Sequence, residues 1–137
     1  IPLILQVASG RREIFSIYGE DHDTKDGTCI RDYVHVMDLA EAHLLSLEDL
    51  IQNQKSDIYN IGNNLGFSVK EIINIAETIT HQKIPYKILA RRKGDPTQLI
   101  ADNTKIIEKL HWSANHSDLN TILTTAWEWE KHLYKSN

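Results

Sequence analysis

Cysteine occurs once in the 137 residues, at Cys29, so the chain cannot close a disulfide on itself and carries no mark of an oxidising compartment. No apolar run approaches the roughly 18 residues that would mark a membrane-spanning helix. The N-terminus lacks the charged start and small-residue cleavage site of a secretory signal. The expectation is a cytoplasmic protein, free of membrane. An Asn115-His116-Ser117 sequon has meaning only on a secretory route and is set aside. An excess of basic charge is also missing. Fifteen Lys and Arg stand against nineteen Asp and Glu, for a formal charge of −4 and a pI near 5.9, and the longest basic run is Arg91-Arg92-Lys93. Nucleic acid is therefore excluded as a partner. Metal-ligand spacing is lacking too. The seven histidines form no H-x-H or H-E-x-x-H, and the one cysteine is remote from them, so no metal is expected.

What is present is an alternation of helical and strand patterns. Pro2 to Ala8 reads as a helix with proline in its first turn, and because Ile1 stands first the chain is expected to begin inside a larger protein. Strands are expected over 13–18, 29–36, 57–61 and 84–89, with an acidic, exposed loop over 19–27. Asp38 with Glu41 resembles a capping box for a helix to about Leu50, apolar over a wide arc. Ser68 with Glu71 caps another, whose Ile72, Ile73, Ile75, Ala76 and Ile79 face a core. A helix opened by Asp102 or Asn103 runs to about Leu110, and a last one runs from Asp118 to about Leu133. With no repeat or flexible linker, this is one α/β unit.

Two groups of residues invite chemistry. In the stretch "CIRDYVHV", alternation puts Arg31, Tyr33 and His35 on one face and Asp32 among the apolar residues of the other. A guanidinium fork beside a phenol suits a phosphate, and an edge strand with one solvated face explains the same spacing. Asp32, pointing with the valines, must be paired or hydrogen-bonded, and reads as a structural tie. The second group is Arg91-Arg92-Lys93-Gly94-Asp95-Pro96. Cations beside a glycine and an acid fit an anionic, hydroxylated ligand, and they also fit a solvated turn. Gly62-Asn63-Asn64-Leu65-Gly66 has neither the G-x-G-x-x-G spacing nor a Walker lysine, and reads as a turn. Trp112, Trp127 and Trp129 read as packing.

The segments "GRREIFSIYG", "DGTCIRDYVHVMDLAEAH", "IYNIGNNLGFSVKEI", "RRKGDP" and "LHW" occur in an order that resembles the UDP-glucose 4-epimerase family, within the extended short-chain dehydrogenases/reductases. The likeness is to the C-terminal part of that family and runs nearly end to end. It implies an α/β fold: the C-terminal substrate-binding region of an extended short-chain dehydrogenase/reductase, without the N-terminal Rossmann cofactor half. Residues 1–137 would form one UDP-sugar-binding region, with 29–62 packing on the Rossmann domain of the intact enzyme.

The resemblance further implies an NAD-dependent isomerase, a homodimer when intact, that interconverts UDP-glucose and UDP-galactose through a 4-keto sugar. Neither the glycine-rich dinucleotide fingerprint nor the Tyr-x-x-x-Lys pair is present: four places after Tyr18, Tyr33, Tyr59 and Tyr86 stand His22, Met37, Asn63 and Ala90. The chain by itself is expected to bind no NAD, to hold no catalytic residue and to self-associate. As implied by the resemblance, Arg31 and Arg92 contact the diphosphate and Tyr33 lies near it. Asp95 accepts from a ribose hydroxyl, Ser16 and Tyr18 hold the uracil, and Val69 borders the base or ribose. Tyr18 stands where the family has phenylalanine. His35 is expected to be structural. Two alternatives remain: a different UDP-sugar, such as a pentose or an N-acetylated hexose, and a freestanding non-catalytic binding module.

Overall fold

The computed structural model describes residues 1–135. Its elements are α1 (Pro2–Ala8), β1 (Phe15–Tyr18), β2 (Ile30–Asp32), α2 (Val36–Asn53), β3 (Gly66–Ser68), α3 (Val69–Thr80), β4 (Tyr86–Leu89), β5 (Gln98–Leu99), α4 (Thr104–Leu110) and α5 (Leu119–Lys135). Two small sheets result. In one, β1 and β4 pair in parallel, with Ser16 opposite Lys87 and Tyr18 opposite Leu89. In the other, β2 is central, antiparallel to β3 and parallel to β5. The ten residues' worth of chain from Leu89 to Gln98 therefore passes from the end of one sheet to the other, carrying the arginine cluster with it.

The main core lies where α1, α3 and α5 pack together over β1. Ile4, Leu5, Val7, Ile17, Ile72, Ile73, Ala76, Ile84, Leu119 and Leu123 fill it. The capping box of α3 forms as the sequence requires: Glu71 N donates to Ser68 Oγ at 3.1 Å, and Ser68 N donates to Glu71 Oε2 at 2.8 Å. A smaller cluster joins Ala42, Ile106 and Trp112. Trp112 Nε1 donates to Asp38 O at 2.9 Å, which satisfies the indole in a fully buried place. Trp127 packs on the main core, whereas Trp129 is exposed and stacks on His132.

Several expectations need correction. The helix α2 starts at Val36, not after Asp38. His35 is its N-cap, and its ring accepts from Met37 N at 3.1 Å, while Asp38 is buried in the first turn. There Asp38 accepts from His116 N at 3.0 Å and from the Ser117 hydroxyl, tying the start of α2 to the entry of α5. The strand expected over 29–36 keeps only Ile30–Asp32, because the cap at His35 already turns the chain. Residues 57–61 form no strand: Ile58 N is satisfied by Asp57 Oδ1, and Ile58 O accepts from Lys105 Nζ, so no described ladder engages them. The strand instead appears later, at Gly66–Ser68, next to the turn expected over 62–66. The acidic loop 19–27 is less open than its composition suggests. Asp26 accepts from the Thr28 amide and hydroxyl and from Ser68 Oγ, and His22 and Thr28 are buried.

The apolar arc of α2 divides in two. Ala42 and Leu45 are covered by Trp112 and its neighbours. The opposite face, Val36, Ala40, Leu44, Leu47 and Ile51, follows the helical repeat and is exposed throughout. No described helix is long and apolar enough to cross a membrane.

Candidate functional site

Parallel strands leave a crevice at their C-terminal ends, where loops rather than ladders decide the chemistry. At the ends of β1 and β4 that place is filled by Tyr18 and by the loop after Leu89. Arg92 lays its guanidinium over the Tyr18 ring, with Cζ 4.2 Å from the centroid. Its Nε stands 3.8 Å from Asp95 Oδ2. The other carboxylate oxygen of Asp95 accepts from Arg31 Nη2, while Arg31 Nη1 donates to Ile30 O at 2.6 Å. Arg31, Asp95, Arg92 and Tyr18 thus form one continuous array across the gap between the two sheets. Asp95 joins the two arginines, one carboxylate oxygen facing each.

Electrostatics follow from this geometry. Arg31, Arg91, Arg92 and Lys93 outnumber the two carboxylates that face them, Asp95 and Asp21. An uncompensated surplus of planar guanidinium groups is a receptor for phosphate oxygens, which accept from such forks in pairs. Asp95 holds the Arg31 fork in place beforehand, so less side-chain freedom is lost when an anion arrives.

Of the remaining predicted residues, Ser16 lies on the same face of β1 as Tyr18, opposite the buried Ile17. Tyr33 packs against the main core within electrostatic reach of Arg31. Burial pushes its phenol up from the ordinary value, the neighbouring Cys29 adds to this, and the Arg31 charge opposes it. Val69 opens α3 and packs on the same core. Asp32 is the structural tie its position demanded. Its carboxylate accepts from Asn63 N at 2.9 Å and from Asn64 N and Ala101 N at 3.2 Å, which fastens the 62–66 turn to β2 and to the end of β5. His35 is structural as well, with Nε2 2.9 Å from Thr125 Oγ1.

Of the two adjacent arginines, Arg91 is the better packed. It lies across Gly19, with Nε 4.0 Å from Asp21, and its side chain is 36% exposed against 65% for Arg92. Two contributors went unforeseen. His22 sits buried beneath Arg91, and Gly19, at φ +90°, leaves room for both. A histidine inside a polar loop shows no periodicity, so no pattern singled it out.

Hollows also lie away from this array. Openings of about 200 and 250 Å³ lie between α2 and the 55–61 segment, lined in part by Ser46, Asp57 and Tyr59. They contain none of the predicted binding residues. There Lys105 and Lys109 hold the Asp57 carboxyl well below the usual carboxylate range, making a closed ion cluster rather than an open receptor. Among the described residues no three His, Cys, Asp or Glu gather as a metal would require.

The family model described as GDP-mannose 4,6 dehydratase matches residues 1–124. A UDP-glucose 4-epimerase of Halalkalibacterium halodurans is 48% identical over 131 residues, 96% of this chain and 39% of that protein. Among solved structures, the UDP-glucose-4-epimerase of Stenotrophomonas maltophila, with bound NAD and formylated UDP-arabinopyranose, superposes with a TM-score of 0.94 at 37% identity, over 99% of this chain and 40% of that one. The UDP-Glc/GlcNAc 4-epimerase of Campylobacter jejuni superposes with a TM-score of 0.85 at 39% identity, over 96% of this chain and 40% of that one. The chain thus spans about two fifths of the length of the relatives it matches.

Proposed function

The chain belongs to the family described as GDP-mannose 4,6 dehydratase, and from that membership and the arginine array we propose that it is the UDP-sugar-gripping portion of a UDP-glucose 4-epimerase. The observation that carries this reading is the Arg31–Asp95–Arg92–Tyr18 array at the strand ends. In the whole enzyme the activity is the NAD-dependent interconversion of UDP-glucose and UDP-galactose.

NAD supplies the oxidation and reduction of the sugar carbon when it is bound, but the residues described here do not fit it. None of the described helices opens on a G-x-G-x-x-G turn: α2 opens on His35, α3 on Ser68 and α4 on Asn103. No Tyr-x-x-x-Lys pair stands ready to move a proton. The dinucleotide is therefore assigned to the part of the enzyme outside this chain, and these residues bind and orient. Arg31 and Arg92 take the diphosphate between them, and Asp95 aligns their forks while offering its outer lone pairs to a ribose hydroxyl. Ser16 and Tyr18 present a polar group and a flat ring to the uracil. Tyr33 and Val69 close the inner wall of the site.

The bare face of α2 and the unpaired 57–61 segment fit the same reading, since residues 29–62 would pack on the cofactor domain. A neighbouring possibility is another UDP-sugar, favoured by the formylated UDP-arabinopyranose bound in one relative and by the GlcNAc in the name of another. The test is turnover. The full-length enzyme should interconvert UDP-glucose and UDP-galactose, and the 137-residue chain with added NAD should not. Turnover by the purified chain, or none by the full-length protein with either hexose, would overturn the assignment.

A further inference from the structure

The imidazole of His22 is 4% exposed, and its Nε2 has no hydrogen-bond partner. Buried polar atoms without partners are rare enough in native structures that each calls for a cause. Its surroundings supply one. The backbone of His22 closes the 19–27 loop on itself, donating from N to Gly27 O at 3.0 Å and accepting at O from Thr24 N at 2.8 Å. Its Nδ1 reaches out of that loop to Thr97 Oγ1 at 3.4 Å. Thr97 O in turn accepts from Ile30 N at 2.9 Å, where β2 and β5 begin to pair.

On the other side the ring abuts Gly19, the residue that ends β1 by donating to Leu89 O at 2.9 Å. A Cβ on Gly19 would lie 2.8 Å from His22 Nε2 and would run into Arg91 Cγ. His22 is thus wedged between both feet of the arginine loop: Leu89 and Arg91 at its start, through Gly19, and Thr97 at its end. Arg91, Arg92, Lys93 and Gly94 are all exposed, so the tip of this loop has little packing of its own beyond its side-chain contacts, and its two feet are where the fold holds it.

We propose that His22 is a positioning residue for the nucleotide site, a wedge between the 19–27 and 90–97 loops that sets where Arg92 and Asp95 stand relative to Tyr18 and Arg31. This rests on the UDP-sugar reading above for the identity of the ligand, and on geometry alone for the wedge. Nδ1 makes the link, so His22→Asn, which places an amide near the Nδ1 position, retains it. His22→Gln, which reaches instead toward the idle Nε2 position, does not.

Two measurements on the full-length protein test the proposal. The first is amide hydrogen exchange over residues 90–97 without ligand. Exchange should speed up in His22→Ala, Thr97→Val and Gly19→Ala and stay close to wild type in His22→Asn, while α3 keeps its protection. The second is calorimetric titration with UDP, in which His22→Ala and Thr97→Val should each weaken binding about fivefold to tenfold. The double variant should be no weaker than the worse single one, as expected for two residues serving one contact. Unchanged exchange over 90–97 in His22→Ala, or additive losses in the double variant, would overturn the wedge. A wild-type protein that binds no UDP would instead remove the ligand assignment, and the exchange measurement would still decide the wedge by itself.

Discussion

Arg92 offers the sharpest test of the site, because its position separates binding from stability. Its side chain is 65% exposed, stacked on Tyr18 with Cζ 4.2 Å from the ring centre, and its Nε is 3.8 Å from Asp95. An exposed cation–ring stack contributes about 0.5–1 kcal/mol, and an exposed ion pair at the edge of contact distance contributes about 0–1 kcal/mol. Replacing Arg92 by alanine should therefore lower unfolding free energy by only about 1 kcal/mol. A charge-assisted hydrogen bond to a phosphate is a different matter. Its loss costs roughly 1.5–3 kcal/mol, or about 10- to 150-fold in affinity. Calorimetric titration of full-length Arg92→Ala with UDP, beside a thermal melt, reads both quantities, and Arg92→Lys should fall between because it keeps the charge without the planar fork. Arg31→Ala should weaken binding and stability together, since Arg31 is 22% exposed and also donates to Ile30 O. An Arg92→Ala protein that melts normally and binds UDP within about twofold of wild type would refute the placement of the diphosphate on this array.

The other predictions concern the frame that holds the site. Asp38→Ala should cost about 3 kcal/mol or more in denaturant unfolding, because the His116 amide and the buried Ser117 hydroxyl lose their acceptor. Gly62→Ala should cost about 1–3 kcal/mol, since the new Cβ would strike the Asp32 carboxylate and the Ala101 methyl group; a wild-type melting temperature would contradict this. Tyr33, whose phenol is raised by burial, contributes stability that is complete below the unfolded value of about 10 and is lost as pH rises through its higher folded value. Tyr33→Phe should accordingly flatten the alkaline limb of a stability–pH curve, and an unaltered limb would count against the burial. The 137-residue chain should self-associate through the exposed stripe of α2 in light scattering over a dilution series, and Leu44→Glu with Leu47→Glu should make it monomeric.

How much of this was legible in the residues can be judged element by element. The capping box at Ser68 and Glu71 was readable because a serine three places before a glutamate encodes its own geometry. The same spacing at Asp38 and Glu41 misled, because the acid at Asp38 is drawn inward by His116 and Ser117, which lie far along the chain. Local spacing cannot register a partner that folding alone brings near. The arginines were legible as a group and not as individuals. Arg91 and Arg92 are adjacent in a loop, and only the position of Gly19 beneath one and of Tyr18 beneath the other decides which is packed and which is presented. His22 was illegible for the same reason, since its role depends on Thr97 and on the absence of a side chain at Gly19.

The 57–61 segment sharpens the point. It carries Ile58, Tyr59 and Ile61, all of high strand propensity, yet it joins no ladder and Ile58 is 82% exposed. Strand propensity describes fitness for a pleated, half-buried surface, so a segment that has it and lacks the surface is carrying a preference that the described residues do not satisfy. The exposed face of α2, Val36, Leu44, Leu47 and Ile51, carries a preference of the same kind, and an apolar helix face of this length seldom stays bare in a soluble protein. Both lie within residues 29–62, and Asp32, one residue from Arg31, ties Asn63 and Asn64, just past that region, to β2. Whatever covers that face therefore bears on a frame shared with the arginine array. Cover and nucleotide should stabilise one another, and the size of that coupling is measurable as the change in UDP affinity when the surface is mutated in the full-length protein.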